Sequence, residues 1–423
     1  MKKQLRQIIY DMRTQPVIAW VTVFGTAMSI FLIMTMLTMQ MLYTMPIAPE
    51  THRPRMLYGL YFHMENSGSG NSGSGPLSLK RARQLYNGLE GVEAVSFQNN
   101  NPWRTDVKGS TGETFTANVR QSDTGFWDIY DMKLLEGRIF TAEEVEAGTR
   151  VALVSESTAR RLFGGEPVLG SHFLLSHVDY EVIGVVGDTN PIATWAFGDV
   201  FTPIDTREYG NGFWDENFGN VSVALLVKEG VDFDKIRSQV KARYAGIDSE
   251  LAADGYKTVY HEAPFDQETV SQGMSGSNIT PDTSSAELLH GLIYAILLLV
   301  PAINLSSMLH SRLRRRISDI GIRRAFGCTR GRIIRDIIAE NFLVTLAGGI
   351  IGLAAGVVFA LLWDGLYTTE YNEAIHPSLT MLLNWRIILR ALGACFVLNI
   401  ISAAVPAWQA SRMNPVEAIN AKK

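Results

Sequence analysis

The chain has 423 residues, 47% of them hydrophobic and only 19% charged, with a formal net charge of -4. That balance is unlike an ordinary soluble protein of this length and points away from a nucleic-acid partner. The apolar excess sits in four runs, Val17 to Tyr43, Leu288 to Leu309, Phe342 to Trp363 and Ile387 to Trp408, each close to the ~20 residues that cross a ~30 Å hydrocarbon layer as a helix.

In chain order, residues 1–44 hold a short cytoplasmic start and the first span. The start, MKKQLRQIIYDMRTQP, has the positive charge of a secretory leader. The run behind it is longer than the ~7 to 15 residues of a leader core, however, and closes without a small-x-small cleavage site, so it reads as an uncleaved anchor. Residues 45–286 follow as one large α+β extracytoplasmic domain. In it MLYGLYFHM, SLKRARQLYNGLE and VEAVSFQ read as strand, helix and strand, and VSVALLVKE, FDKIRSQVKARYAGI and YKTVYHEA repeat that order. Two such units are the halves of a split ferredoxin-like porter lobe. The insertion between them, about 105–218, has strands in TFTANVRQ, RVALVS, HFLLS and YEVIGVVGD and a short helix in SESTARRLFGG, which makes it a mainly β lobe.

The NSGSGNSGSG stretch, Asn66 to Gly75, reads as a flexible tether, because Gly and Ser at this density bury no apolar surface. It is no phosphate loop, since Pro76 and Leu77 stand where a lysine and a hydroxyl residue are needed. Trp103 and Trp195, both flanked by turn residues, are the candidates for a partner or substrate surface.

The second span, 287–310, contains Pro301 and Asn304. The segment 311–341 opens on RLRRRISDIGIRRAFGCTRGRIIRDIIAEN, nine arginines in thirty residues. As a helix its centre places Ile322, Ala325 and Phe326 on one side and Ile317 and Ile320 on roughly the opposite one. The arginines fit a loop that faces the cytoplasm and anionic lipid. Two apolar sides equally suit a short helix held between the chain's own spans and a groove on a partner, and the pattern alone leaves both readings open. The third span, 342–363, has Gly348, Gly352 and Gly356 at a spacing that permits close helix approach. A short external loop, 364–386, leads to the fourth span, 387–408, where Arg390 lies one turn from Arg386 and Trp385 and can snorkel to the outer interface. Residues 409–423 form a tail.

Charge sets the orientation. With the start inside, the three cytoplasmic pieces hold 16 Lys and Arg against five Asp and Glu, whereas Thr44 to Ala286 holds 20 against 33. Both termini are therefore expected in the cytoplasm. The two cysteines, Cys328 and Cys395, fall outside the external domain, which must stand without disulfides. The chain carries no G-x-x-x-x-G-K-[ST], G-x-S-x-G or H-E-x-x-H, and its eight histidines are scattered, with His172 and His177 the closest pair. No enzymatic activity, metal set or bound cofactor is expected of the chain itself.

RISDIGIRRAFGCTRGRIIRDIIAENFLVTLAGGIIGLAAG resembles the R-x-x-E-I-G-I-R-R-A-x-G-A-x-x-x-x-I segment of MacB/FtsX-type ABC transporter permeases, and PAWQASRMNPVEAI resembles their P-A-x-x-A-x-x-x-x-P-V-E-A-L tail. LLEGRIFTAEE, VALVSESTARRLFGGEPVLGSHF and YEVIGVVGD are similar to the MacB-like periplasmic core domain. The resemblance implies a multi-pass protein of the bacterial inner membrane that pairs with a second permease chain, identical or not. It also implies a separate cytoplasmic ABC ATPase dimer, which brings ATP and Mg. The helix after the second span would be the coupling helix, with Asp319, Gly321, Ile322, Arg323, Arg324, Ala325 and Gly327 as coupling residues. Asp319 stands where the family has Glu, and Cys328 where it has Ala. The implied mechanism is mechanotransmission, with helix movement rather than a path through the bilayer doing the work. The leading expectation is export of peptides, antibiotics or other periplasmic substrates, with a membrane-fusion protein and an outer-membrane channel as further partners. A transducer controlling an external cell-wall hydrolase and a lipoprotein-release permease are the alternatives.

Overall fold

The computed structural model describes residues 16–68, 70, 72–204, 212–272, 274, 278–280, 283–315, 317–362 and 385–412. The expected cytoplasmic start before residue 16, almost all of the external loop 364–386 and the tail beyond residue 412 lie outside them. Two compact units divide the chain, one from Leu42 to Thr283 and one from the residues on either side.

The first unit is built on fourteen named strands. They are β1 (Met56–Gly59), β2 (Tyr61–Asn66), β3 (Ser72–Pro76), β4 (Val92–Asn99), β5 (Trp103–Lys108), β6 (Thr114–Ser122) and β7 (Leu134–Gly137). Then come β8 (Val151–Ser155), β9 (His172–Leu175), β10 (Val178–Val186), β11 (Val200–Pro203), β12 (Val221–Val227), β13 (Tyr256–Thr258) and β14 (Phe265–Asp266). β13 pairs with β2, β1 with β12, and β12 with β4, each antiparallel. If β1 and β2 are taken as one strand that changes neighbours at Leu60, the spatial order is fourth, first, third, second, that of a βαββαβ ferredoxin-like unit.

The two helices of that unit begin where a capping side chain precedes an apolar stripe. Ser78 accepts a hydrogen bond from the Arg81 backbone N–H and starts Leu79–Tyr86, which buries Leu79, Ala82, Leu85 and Tyr86. Asp232 caps Phe233–Leu251, and the buried Ile236, Val240, Tyr244, Ile247 and Leu251 recur along one face at helical spacing.

The inserted lobe is a closed ring. β11 pairs with β8, β8 with β10, β10 with β9, β9 with β5, β5 with β6, and β6 back with β11. Two of these ladders, β8 with β10 and β6 with β11, are parallel. Val107, Val119, Val154, Phe173, Val182 and Val200 fill the interior, joined by Ala159, Leu162 and Phe163 of the helix Glu156–Phe163. The ring runs from Trp103 to Pro203; the helix Phe213–Asn217 beyond it attaches to the ferredoxin-like lobe, where Asn217 Oδ1 accepts from Arg81 Nε at 2.8 Å.

The Gly/Ser stretch is not wholly a free tether. Its second half is β3, paired residue by residue with β2. A Cβ on Gly73 would stand 3.0 Å from the Trp214 ring, and one on Gly75 3.2 Å from the Phe218 ring. Ladder hydrogen bonds need no side chain, and the bare backbone lets those rings lie on the strand.

The second unit is helical: Pro16–Thr44, Thr283–Arg315, Ile317–Ala325, Arg330–Leu362 and Trp385–Arg412. Among the described residues, Arg330–Phe359 is long and apolar enough to cross a membrane, and Val23–Thr38 and Glu287–Leu299 are shorter apolar stretches. The helix that carries the third apolar run starts at Arg330, well before Phe342, so the loop between helices is shorter than the composition suggests. Composition marks where side chains turn apolar, whereas the backbone ladder continues through Arg332, Arg335 and Glu340.

Candidate functional site

The arginine-rich segment folds into the nine-residue helix Ile317–Ala325 between two 33-residue helices. Its end is a Schellman stop: Cys328 N–H donates to Arg323 C=O at 3.0 Å and Gly327 N–H to Arg324 C=O at 3.0 Å. Gly327 sits at φ 89°, which a residue with a Cβ rarely adopts, so the glycine of IRRAFG ends the helix. Thr329 then begins the next helix, its carbonyl accepting from Arg332 N–H and Ile333 N–H.

The two apolar sides have different fates. Gly321 is buried, and Ile320 and Cys328 pack against a cluster of Leu309, Leu313, Ile333, Ile337, Ala403, Ala407 and Ala410 from the ends of three long helices. On the other side Ile322 is 43% and Phe326 88% exposed, beside the exposed Arg323 and Ala325 and the half-buried Arg324. Asp319 lies in the helix, and its side chain is outside the described residues. One face is thus anchored, and the other presents an aromatic ring and a cation to the surroundings.

Gly348, Gly352 and Gly356 fall on the face of Arg330–Leu362 that meets the helix Pro16–Thr44. An added Cβ would lie 2.7 Å from Thr26 Cβ, 2.3 Å from Ala27 O and 3.0 Å from Met34 Cγ, respectively. Nearby Phe31 and Phe359 meet edge to face at 5.1 Å. Sequence reasoning missed a second contact in this unit, a buried polar cluster of Asn341, Asn399 and Ser402 between Arg330–Leu362 and Trp385–Arg412. Each residue looks like an isolated polar interruption of an apolar run, and only the helix register brings them together.

The tryptophan candidates separate. Trp103 opens β5 and is 39% exposed. Trp195 is core rather than surface: it is 8% exposed, its ring stacks on Tyr58 at 4.6 Å, and its backbone N–H donates to Glu50 Oε1 at 2.7 Å. The turn residues around it belong to a loop whose polar groups are satisfied inside the domain. His172 and His177 are not drawn together as a pair; His172 Nδ1 instead contacts Asp179 at 2.8 Å. The close pair is His63 and His261, stacked with Nδ1 and Nε2 2.7 Å apart, where burial first and the neighbouring ring second push the His261 pKa down.

The MacB-like periplasmic core domain family matches residues 19–243, and the FtsX-like permease C-terminal family matches residues 291–415. The chain is 26% identical to the uncharacterized ABC transporter permease YknZ of Bacillus subtilis, over 78% of this chain and 77% of that one. It is also 26% identical to the macrolide export ATP-binding/permease protein MacB of Bdellovibrio bacteriovorus, over 81% of this chain but 49% of that one. The match to the MacB relatives thus spans about half their length or less. Among solved structures, the periplasmic region of MacB from Actinobacillus actinomycetemcomitans aligns with 51% of this chain and 94% of its own, at 18% identity and a TM-score of 0.34.

Proposed function

Because the chain belongs to the MacB/FtsX-type ABC transporter permeases and is a membrane-embedded ABC transporter permease, we propose that it couples ATP hydrolysis by a separate cytoplasmic ATPase to movement of its external domain. The observation that carries this reading is the helix Ile317–Ala325, anchored on one face and offering Ile322, Arg323 and Phe326 on the other. An apolar ring beside a cation is the surface a helix needs to seat in a partner's groove. The Schellman stop at Gly327 fixes where that surface ends.

In this reading the four long helices are four membrane spans, both termini are cytoplasmic, and the protein sits in a bacterial inner membrane. Two permease chains and an ATPase dimer form the working unit, and ATP and Mg are bound by the ATPase. Closure of the ATPase dimer displaces Ile317–Ala325, and the packed helices carry that displacement outward. The work is export of peptides, antibiotics or other periplasmic substrates, with a membrane-fusion protein and an outer-membrane channel as external partners. The relatives named for macrolide and pyoverdine export support this direction.

The experiment is purification of the full chain from its native membrane with identification of what accompanies it. An ABC ATPase together with a membrane-fusion protein is the expected result. A cell-wall hydrolase or a lipoprotein carrier in place of the fusion protein would redirect the function to signalling or lipoprotein release, and absence of any ATPase would overturn the reading.

A further inference from the structure

Three charged side chains are buried together in the external unit: Glu50 and Arg53 are 2% and 1% exposed, and Arg120 is 0% exposed. All three serve one irregular segment, residues 190–197, which links β10 to β11. Arg53 Nε donates to Glu50 Oε2 at 2.7 Å, and a second guanidinium nitrogen donates to Ile192 C=O at 2.6 Å. Glu50 Oε1 accepts from the backbone N–H groups of Trp195 and Ala196 at 2.7 and 2.9 Å. Arg120, on β6 of the ring, donates to Thr194 C=O at 2.6 Å and Phe197 C=O at 3.2 Å, and also to Asn99 C=O on β4 at 2.9 Å. Gln98, also on β4, donates to Trp195 C=O at 3.2 Å.

Burying this much charge is costly unless each group is satisfied. Apolar residues of similar size would orphan the Ile192 carbonyl and the Trp195 and Ala196 N–H groups, so the pair first lets this segment lie inside; why that task falls to this stretch of chain calls for a further account. Its position supplies one. Glu50 and Arg53 lie in the stretch between the end of the helix Pro16–Thr44 and the start of β1 at Met56. Arg53 also donates to Met45 C=O at 2.9 Å, so the first residue after that helix is already held. Asp131 N–H donates to Pro49 C=O at 3.0 Å, adding a tie to the connection between β6 and β7.

We propose that Glu50 and Arg53 form a clasp that fastens the chain leaving the first long helix to residues 190–197, so that load entering at Met45 reaches the ferredoxin-like lobe and the inserted ring together. Without the clasp, a pull along the chain would meet the Pro49 and Thr51 ties to Asp131 before β1 and would then spread through the β1 to β12 ladder. With it, the pull is divided at Glu50 and Arg53 before β1 begins. Arg120 and Gln98 pass it on to β6 and β4. Glu50 and Arg53 are positioning residues in this scheme, and the inference rests on the coupling function proposed above.

The test uses the full chain with its ATPase, in a Cys328→Ser, Cys395→Ser background. Spin labels are placed at Lys108→Cys on the ring and Glu229→Cys on the ferredoxin-like lobe, both exposed positions. In the parent, the distance distribution between the labels stays narrow with and without ATP, because the lobes move as one. In the Glu50→Leu, Arg53→Met double variant, ATP broadens or shifts it while the hydrolysis rate stays within twofold of the parent and the thermal midpoint shows the chain folded. If that variant does not fold, Glu50→Gln, which keeps an oxygen acceptor but drops the charge, is read the same way. A folded variant whose distribution matches the parent in both states overturns the clasp. A parent chain that recruits no ATPase overturns the coupling function itself, and the clasp with it.

Discussion

Asn341 and Asn399 are joined across two long helices: Asn341 Nδ2 donates to Asn399 Oδ1 at 2.7 Å and to Ser402 Oγ at 3.1 Å, with all three residues buried. Asn399 Nδ2 returns a bond to Ile338 C=O at 3.4 Å, so the Asn399 amide is engaged at both of its ends. Interhelical hydrogen bonds in a membrane contribute about 0.6 to 2 kcal/mol each. Asn399→Leu removes two of them and leaves the Asn341 amide with Ser402 alone. The full chain in detergent should lose about 1 to 3 kcal/mol of stability, seen as a lower thermal midpoint. An unchanged midpoint would show that the pair holds nothing together.

The glycine row makes an internal comparison possible. Gly352→Ala puts a Cβ where Ala27 O stands 2.3 Å away, and a backbone oxygen cannot swing aside as a side chain can. The helices must part, at a cost of about 1 to 3 kcal/mol. Gly393→Ala meets nothing within 4 Å, and there the higher helix propensity of alanine should add up to about 1 kcal/mol. Thermal unfolding of the two variants should therefore move in opposite directions.

Coupling has its own readout. Arg323→Glu with Arg324→Glu reverses two charges next to the exposed Ile322 and Phe326. Co-purification of the ATPase should fall at least tenfold, about 1.4 kcal/mol or more of binding free energy. Full retention of the ATPase with normal stimulation of its activity would rule out this helix as the docking element.

Acidity should act on the unit from Leu42 to Thr283 through Asp123. Burial is the largest influence on its carboxyl and pushes its pKa up to about 7, with contacts to the Phe97 and Phe126 backbone and the Ser96 hydroxyl pulling the other way. The unfolded carboxyl titrates near ~3.9. Between those values the folded state holds a proton that the unfolded chain has released, so this group's contribution declines as pH rises from ~4 to ~7 and is flat above. The slope is about 1.4 kcal/mol per pH unit at most. Asp123→Asn should abolish it, leaving the variant close to the parent at pH 4 and more stable at pH 8 in thermal melts. Parallel profiles for parent and variant would refute the assignment.

Orientation can be read by impermeant thiol labelling of intact cells. A cysteine at Glu113, exposed on the ring, should label from outside, and one at Gly331, exposed at the start of Arg330–Leu362, should label only after the membrane is opened. The reverse pattern would turn the protein over.

Alternation made β6, β9 and β10 legible, an almost unbroken apolar run did so for β8, and capping with an apolar stripe did the same for Glu156–Phe163 and Phe233–Leu251. β7 and β11 were not, because β7 is exposed and β11 buried at all four positions, so neither alternates as the equally short β9 does. Nor was β3, since its partner is chosen by backbone hydrogen bonds and by rings from far along the chain. Trp195 misled for a related reason. Turn residues mark irregular backbone, which normally sits outside, but here Glu50, Arg53 and Arg120 supply the hydrogen bonds that let it lie within. In the candidate coupling helix, IRRAFG revealed the stop, while which apolar side stays bare depends on the ends of three other helices.

The closed ring also bears on the order in which the chain can assemble as it is made. Every partner in the ring lies between Trp103 and Pro203, so it can shut as soon as β11 has emerged, leaving no open edge among its six strands. β1 must wait for β12, and β2 for β13, pairings that span most of the domain. The interior of the sequence can therefore mature first, while β1, already synthesised, stands without its β12 partner until the chain has passed Val227, and β2 has only β3. That interval is when the nascent domain is most open to wrong strand pairing and most in need of a chaperone.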